Sequence, residues 1–167
     1  MRIALLADIH ANRQAFAACL ARARAQGARR FALLGDFVGY GADPDWTVTT
    51  VMDLVGRGAA AVLGNHDRAV GRPGEHLTVE AQIAIEWTRG QLDAAQRRFL
   101  AALPLTAEED GRLLVHASAA RPERWPYVTD AGCAAASFAA TAAWLTFCGH
   151  VHVPVLYSLS AAAKLSR

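Results

Sequence analysis

Six short apolar runs punctuate the chain, and helical periodicity fills the stretches between the first of them; this alternation constrains the fold more than any other feature. The runs are RIALLA (2–7), RFALLG (30–35), AAAVLG (59–64), RLLVHA (112–117), LTFCG (145–149) and VPVLYSL (153–159). Each has the length of a strand and is bounded by turn-forming or polar residues. Between the first two, Phe16, Cys19, Leu20 and Ala23 fall at i, i+3, i+4 and i+7, one apolar helical face. Between the second and third, Asp43 and Pro44 read as cap and first turn of a helix carrying Val48, Val51, Met52 and Val55. Asp93 and Gln96 form a capping-box pattern ahead of Phe99, Leu100 and Leu103, and Pro104 closes that helix. Strands alternating with helices predict an α/β fold whose sheet is parallel at its start, built as a single domain over 1–167.

The ends of the strand runs carry the chemistry. LLADIH delivers Asp8 and His10, ALLGD delivers Asp36, and AVLGNHD delivers Asn65, His66 and Asp67. LLVH ends at His116, and FCGHVH ends at His150 and His152. Five of the six histidines therefore fall at strand ends, His76 being the exception. In an open α/β sheet the carboxyl edge is where ligands bind. Taken singly, each end is ordinary turn chemistry, and His116 alone reads as a satisfied core histidine. Taken together, carboxylates, an amide and four or five imidazoles on one edge would be very costly without cations to neutralise them. Asp, Asn and His without thiolate suit Mn²⁺, Fe²⁺, Co²⁺, Ni²⁺ or Zn²⁺ and argue against a structural zinc cluster. The ligands outnumber the needs of one ion, so two divalent ions about 3.5–4 Å apart are expected, Mn²⁺ favoured.

Other features narrow the class by exclusion. A net charge of +2 over 167 residues argues for neither a nucleic-acid nor a membrane partner. Cys19, Cys133 and Cys148 are odd in number and far apart, which favours reduced thiols and a cytoplasmic location. Residues 131–149 carry no charge, yet Ala, Gly, Ser and Thr dominate them, so they read as a buried helix followed by a strand. Asn12, Tyr40 and His76 read as structural or solvated loop residues. Trp125, Pro126 and Tyr127 are candidates for a rim over the pocket, and the arginines at 22, 24, 29 and 30 for a solvated helix face and its exit.

The blocks DIH, GDFVGYG, GNHD, the isolated VH of His116 and GHVH, in that order from residue 8 to 152, resemble the calcineurin-like metallophosphoesterases, most of all their small bacterial phosphodiesterases. The resemblance implies an αββα sandwich. It implies that Asp8, His10 and His152 hold one metal, that Asn65, His116 and His150 hold the other, and that Asp36 bridges them. It places His66 toward the substrate as the catalytic residue, with Asp67 at the exit turn orienting its neighbours. Two divalent cations against two carboxylates and a bridging hydroxide leave about one net positive charge, suited to a phosphoryl group. The activity implied is hydrolysis of a small or nucleotide-like phosphodiester. Phosphomonoester or dinucleoside polyphosphate hydrolysis is the enzymatic alternative, and a non-catalytic scaffold of the same fold is the other.

Two departures from the family pattern shape these expectations. The protein Ser/Thr phosphatases read Gly-Asp-x-Val-Asp-Arg-Gly at the second block, where this chain has Gly39 and Tyr40. The carboxylate that would pair with the catalytic histidine and the arginine that would grip phosphate are both absent, which favours small diesters over phosphoproteins. The sequence also runs only fifteen residues beyond His152, so the second sheet is expected to lack its usual C-terminal strands. Self-association through the uncovered sheet edge, by way of VPVLYSL, follows as an expectation.

Overall fold

The computed structural model describes residues 2–72, 77–160 and 165–166. Three parallel strands, β1 (Arg2–Leu6), β2 (Ala28–Leu33) and β3 (Ala60–Ala61), lie in that order in the first sheet. They are joined by α1 (Arg13–Ala25) and α2 (Pro44–Gly56). Asn12 caps α1 by accepting from the Ala15 amide at 3.0 Å, which accounts for that loop residue structurally. Asp43 occupies the cap position of α2 with Pro44 in the first turn, but its side chain makes no capping bond. The turn from β3 runs directly into a short helix, α3 (Asn65–Gly71), followed by α4 (Val79–Gln91) and α5 (Ala94–Ala102). The predicted capping box of α5 is formed: Asp93 accepts from Gln96 N at 2.8 Å, and Gln96 accepts from Asp93 N at 2.9 Å.

Alternation along the strands assigns the two faces of the first sheet. Leu33 and Ala61 point into the main core with Phe16, Val48, Val51, Leu54, Ile85 and Leu100 from the helices. Ala32, Leu34 and Val62 point the other way, onto Leu114 and Phe147 of a second sheet. That sheet comprises β4 (Thr106–Glu109), β5 (Arg112–Val115) and β6 (Leu145–Phe147), with β5 antiparallel to β4 and parallel to β6. Helices packed on one sheet, and that sheet packed on a second, form the expected layers. A cleft of about 260 Å³ remains between the sheets, lined among others by Ile3, Leu5, Phe31, Leu114, Trp144 and Phe147. Arg30 also lines it and pairs with Glu109 of β4, so this arginine ties the sheets together and is not part of a solvated face.

Two local expectations differ from the structure. VPVLYSL does not form one strand: only Ser158–Leu159 (β7) is extended and paired, antiparallel to Leu165–Ser166 (β8). Val153, Val155 and Leu156 are exposed, so apolar character there reflects an uncovered surface. In the uncharged stretch, α6 (Ala131–Ala139) buries only Ala134 and Ser137; its alanines give helix propensity without the bulk to fill a core. Among the described residues, no helix is long and apolar enough to cross a membrane. His76 lies outside the described residues.

Candidate metal centre

The strand ends bring the predicted side chains into one cluster. Three groups of ligand atoms each lie within 4.8 Å of one another: Asp8, His10 and His152; His10, Asp36 and His66; and Asp36, His116 and His150. Asp36 belongs to two of the groups, and His10 links it to the third. Asn65 joins at the His116 side, its Oδ1 being 3.1 Å from His116 Nε2.

Backbone carbonyls set the tautomers. His10 Nδ1 lies 3.1 Å from the Val38 carbonyl and His116 Nδ1 lies 2.7 Å from that of Leu34. A carbonyl only accepts, so each Nδ1 carries the proton, and in the neutral ring Nε2 presents a lone pair to the cluster. His116 Nε2 then faces Asp36 Oδ2 at 3.2 Å and Asn65 Oδ1, both acceptors, while His10 Nε2 faces His152 Nε2 at 3.2 Å. His150 donates from Nε2 to the Trp125 carbonyl at 3.1 Å, which leaves Nδ1 as its lone-pair atom. Lone pairs converging on lone pairs are stable only around a proton or a metal cation, and this donor chemistry fits divalent ions.

In the metal-free protein, protons take the cation's place. Burial opposes charge on Asp36, yet His116, His66 and His10 around it hold its pKa down to about 2. Burial likewise opposes charge on His116, but the Asp36 carboxylate beside it raises its pKa to about 9. Burial lowers His66 to about 4, with Asp36 acting against the shift. The site demands positive charge, and demands it between Asp36 and His116.

Asn65, His66 and Asp67 divide the work that their adjacency suggests. His66 anchors through its backbone: its amide donates to Asp36 Oδ1 at 2.9 Å, while its ring stands 4.9 Å from that of His10. Asp67 is buried and belongs to none of the three groups of ligand atoms. Its Oδ1 accepts from the amides of Phe37 and Val38 at 2.9 and 3.2 Å, and its Oδ2 from Gly64 at 3.1 Å. It therefore staples the loop after β2 to the turn after β3, which makes it the orienting residue expected from sequence. Burial, then Asp36, push its pKa up to about 7 against these amides. Gly64 is needed because a Cβ there would collide with the Asp36 backbone and carboxylate. A Cβ at Gly39 (φ +90°) would collide with His66 Nδ1, an atom that is buried with no hydrogen-bond partner.

Three contacts were not legible in the sequence. The Leu34 and Val38 carbonyls that fix two imidazoles carry no residue-type signal. The Trp125 carbonyl fixes a third, from a residue in the left-handed region (φ +54°). Tyr127 stacks on His150 with centroids 4.1 Å apart and planes at 16°, while Tyr40 packs 4.8 Å from His66 and 5.0 Å from His10. The rim expected from Trp125 and Tyr127 is thus in contact with the cluster, and Tyr40 joins it from the opposite side.

Layers of this kind, with an Asp/His/Asn cluster at the strand ends, define a metallophosphoesterase scaffold. The chain belongs to the calcineurin-like phosphoesterase superfamily, whose sequence profile it matches over residues 1–162. It superimposes on a metallophosphoesterase from Sphaerobacter thermophilus with a TM-score of 0.82 and 37% identity, covering 98% of this chain and 65% of that one. An uncharacterized protein of Methanocaldococcus jannaschii is 36% identical over 132 residues, which is 75% of this chain and 53% of the relative. The chain thus spans about half the length of that relative. A hypothetical protein from Pyrococcus horikoshii shares the fold, with a TM-score of 0.60 and 20% identity over 72% of this chain and 56% of its own.

Proposed function

We propose that the protein is a dinuclear metal-dependent phosphodiesterase acting on small or nucleotide-like phosphodiesters. Asp8, His10 and His152 hold one ion, Asn65, His116 and His150 the other, and Asp36 serves both. The observation that carries this reading is the continuity of the donor groups: Asp36 lies with His116 and His150 in one and with His10 and His66 in another, and His10 lies with Asp8 and His152 in a third, each within 4.8 Å. When bound, two divalent ions supply Lewis acidity toward a phosphoryl oxygen and bring the ionisation of water near neutral pH.

His66 does the remaining work as a neutral imidazole. Its Nδ1 is buried against Gly39 without a partner, and an orphaned donor there costs more than an orphaned lone pair. The proton therefore sits on Nε2, which donates a hydrogen bond to a phosphoryl or leaving-group oxygen and shares its proton more strongly as charge develops there. With glycine where a pairing carboxylate would stand, burial outweighs the pull of Asp36 and the imidazolium is disfavoured at rest. This supports diesters over the dianionic monoesters of phosphoproteins. The described cysteines are all free thiols, in keeping with action in the cytoplasm.

The test is hydrolysis of bis-p-nitrophenyl phosphate by protein stripped with chelator and reconstituted. Activity is expected to vanish on stripping and to return with Mn²⁺, Co²⁺ or Ni²⁺. No turnover with any of these ions would refute the proposal.

A further inference from the structure

Two tyrosines at opposite ends of the imidazole cluster have no part in the chemistry above, and we propose that they form a subsite for the planar base of a nucleoside phosphoester. The proposal rests on the phosphoesterase reading and names the substrate class of the same site. Tyr40 comes from the loop after β2 and Tyr127 from the loop that follows a 3₁₀ turn, Pro122–Arg124. The two residues are 55% and 57% exposed, although the ring of each touches the cluster. Tyr40 abuts His10 and His66 at one end; Tyr127 stacks on His150, which itself lies 4.9 Å from His116, at the other.

This arrangement has a physical cost that a ligand would relieve. Neither ring is used to fill the core, and both leave more than half of an aromatic side chain in water beside a polar cluster. Tyr40 also holds a left-handed backbone conformation (φ +64°), which a bulky side chain adopts only where its surroundings enforce it. Tyr127 has one face against His150, so a planar ligand has the opposite face to stack on. A phosphoryl group bound over the ions that Asp36, His10 and His116 would hold would send an ester arm outward past one tyrosine or the other. Any nucleobase presents a π-face, and stacking on an aromatic side chain is tolerant of which base it is. A methyl or glyceryl arm gains nothing from these rings.

The experiment has a binding arm and a kinetic arm. In calorimetry on the Mn²⁺-loaded protein, adenosine 5′-monophosphate is expected to bind at least about tenfold more tightly than ribose 5-phosphate. Tyr40→Ala or Tyr127→Ala should cut that preference severalfold or more, and the Phe variants should retain it. In the kinetic arm, the ratio of kcat/KM for the p-nitrophenyl ester of thymidine 5′-phosphate over methyl p-nitrophenyl phosphate should fall in the same Ala variants. Both substrates release p-nitrophenolate, so only the other arm differs. Equal binding of the two monophosphates by the unmodified protein overturns the subsite, as does a preference that survives both Ala variants. Hydrolysis of neither ester, with the binding preference intact, refutes the phosphoesterase reading and leaves the subsite standing.

Discussion

Replacing Asp67, which is in none of the three groups of candidate ligands, should still damage the protein. Its carboxylate accepts three backbone amides, from Phe37, Val38 and Gly64, at 2.9, 3.2 and 3.1 Å, and it is 1% exposed. Asp67→Ala leaves three buried donors without partners, at about 1–3 kcal/mol each before relaxation. That sum is comparable to the whole stability of a domain, about 5–15 kcal/mol, so the Ala variant is expected to be largely unfolded. Asp67→Asn is the informative change. It keeps one oxygen for the Phe37 and Val38 amides and turns an NH₂ group against the Gly64 amide, a single buried donor-on-donor contact. The expected loss is about 2–3 kcal/mol, read in urea as a midpoint lowered by about 1 M or more with an unchanged m. Metal affinity should fall too, because the staple sets Asp36 against Asn65. A loss below about 0.5 kcal/mol would refute the reasoning, since it would mean the three amides find partners without the carboxylate.

Asp36→Asn should reduce bound metal from two equivalents to one or none and abolish turnover, because an amide cannot offer two anionic oxygens; elemental analysis showing two equivalents would sink the bridging role. His66→Asn should keep both metals and lose about 10²–10⁴-fold on a diester with an alkoxide leaving group, and much less with p-nitrophenolate, which needs little protonation. Equal losses on both, or loss of metal, would remove His66 from proton transfer. In metal-free protein, the His116 pKa raised to about 9 contributes stability that is full below about pH 6.5 and is lost as pH rises through 9. The loss should be on the order of 3 kcal/mol, and Mn²⁺ should suppress it by taking the proton's place; a flat metal-free profile from pH 6 to 9.5 contradicts this. The inter-sheet cleft, with Leu5 and Trp144 exposed at 39% and 70%, is expected to be covered by a second copy, and a monodisperse monomer in light scattering at micromolar concentration would exclude that.

What could be read from the chain follows from how locally each feature is encoded. The parallel start of the first sheet is written in short apolar runs separated by period-3.6 helices, and the α5 capping box in two residues three apart. The ligand cluster was legible because polar residues stand directly after apolar runs; that they are collected from the strand ends of two sheets, β1–β3 in one and β5 and β6 in the other, was not. VPVLYSL misled because apolar content signals a strand only where another strand lies alongside, and partners are not local. Asp67 could be seen to stand beside ligands, but not to face Phe37 and Val38, since that depends on how closely Gly64 lets two loops approach. Tyr40 and Tyr127 are distant in sequence and are brought beside one imidazole cluster only by the fold.

The backbone at the site carries a second, independent signature of function. Asp8, His10, Asp36, His150 and His152 all lie in the left-handed region, with φ between 47° and 69°. Such conformations cost about 1 kcal/mol or more each in non-glycine residues, less for Asp. Glycine would remove the strain at every one of these positions, and would remove a ligand at every one as well. The conformations are held by bonds across the strand ends: Asp8 N to the Gly35 carbonyl at 3.1 Å, His10 N to that of Asp36 at 2.9 Å, and His150 N to the Asp8 carboxylate at 3.0 Å. The last of these makes one candidate ligand position another, because Asp8 fixes the backbone that carries His150. Strain of this kind persists only where surrounding structure over-determines it, and it turns the side chains of three separate strand ends toward a common centre. A cation at that centre would bind a site already arranged for it, so the energy of arrangement is met in folding and not at the moment of binding.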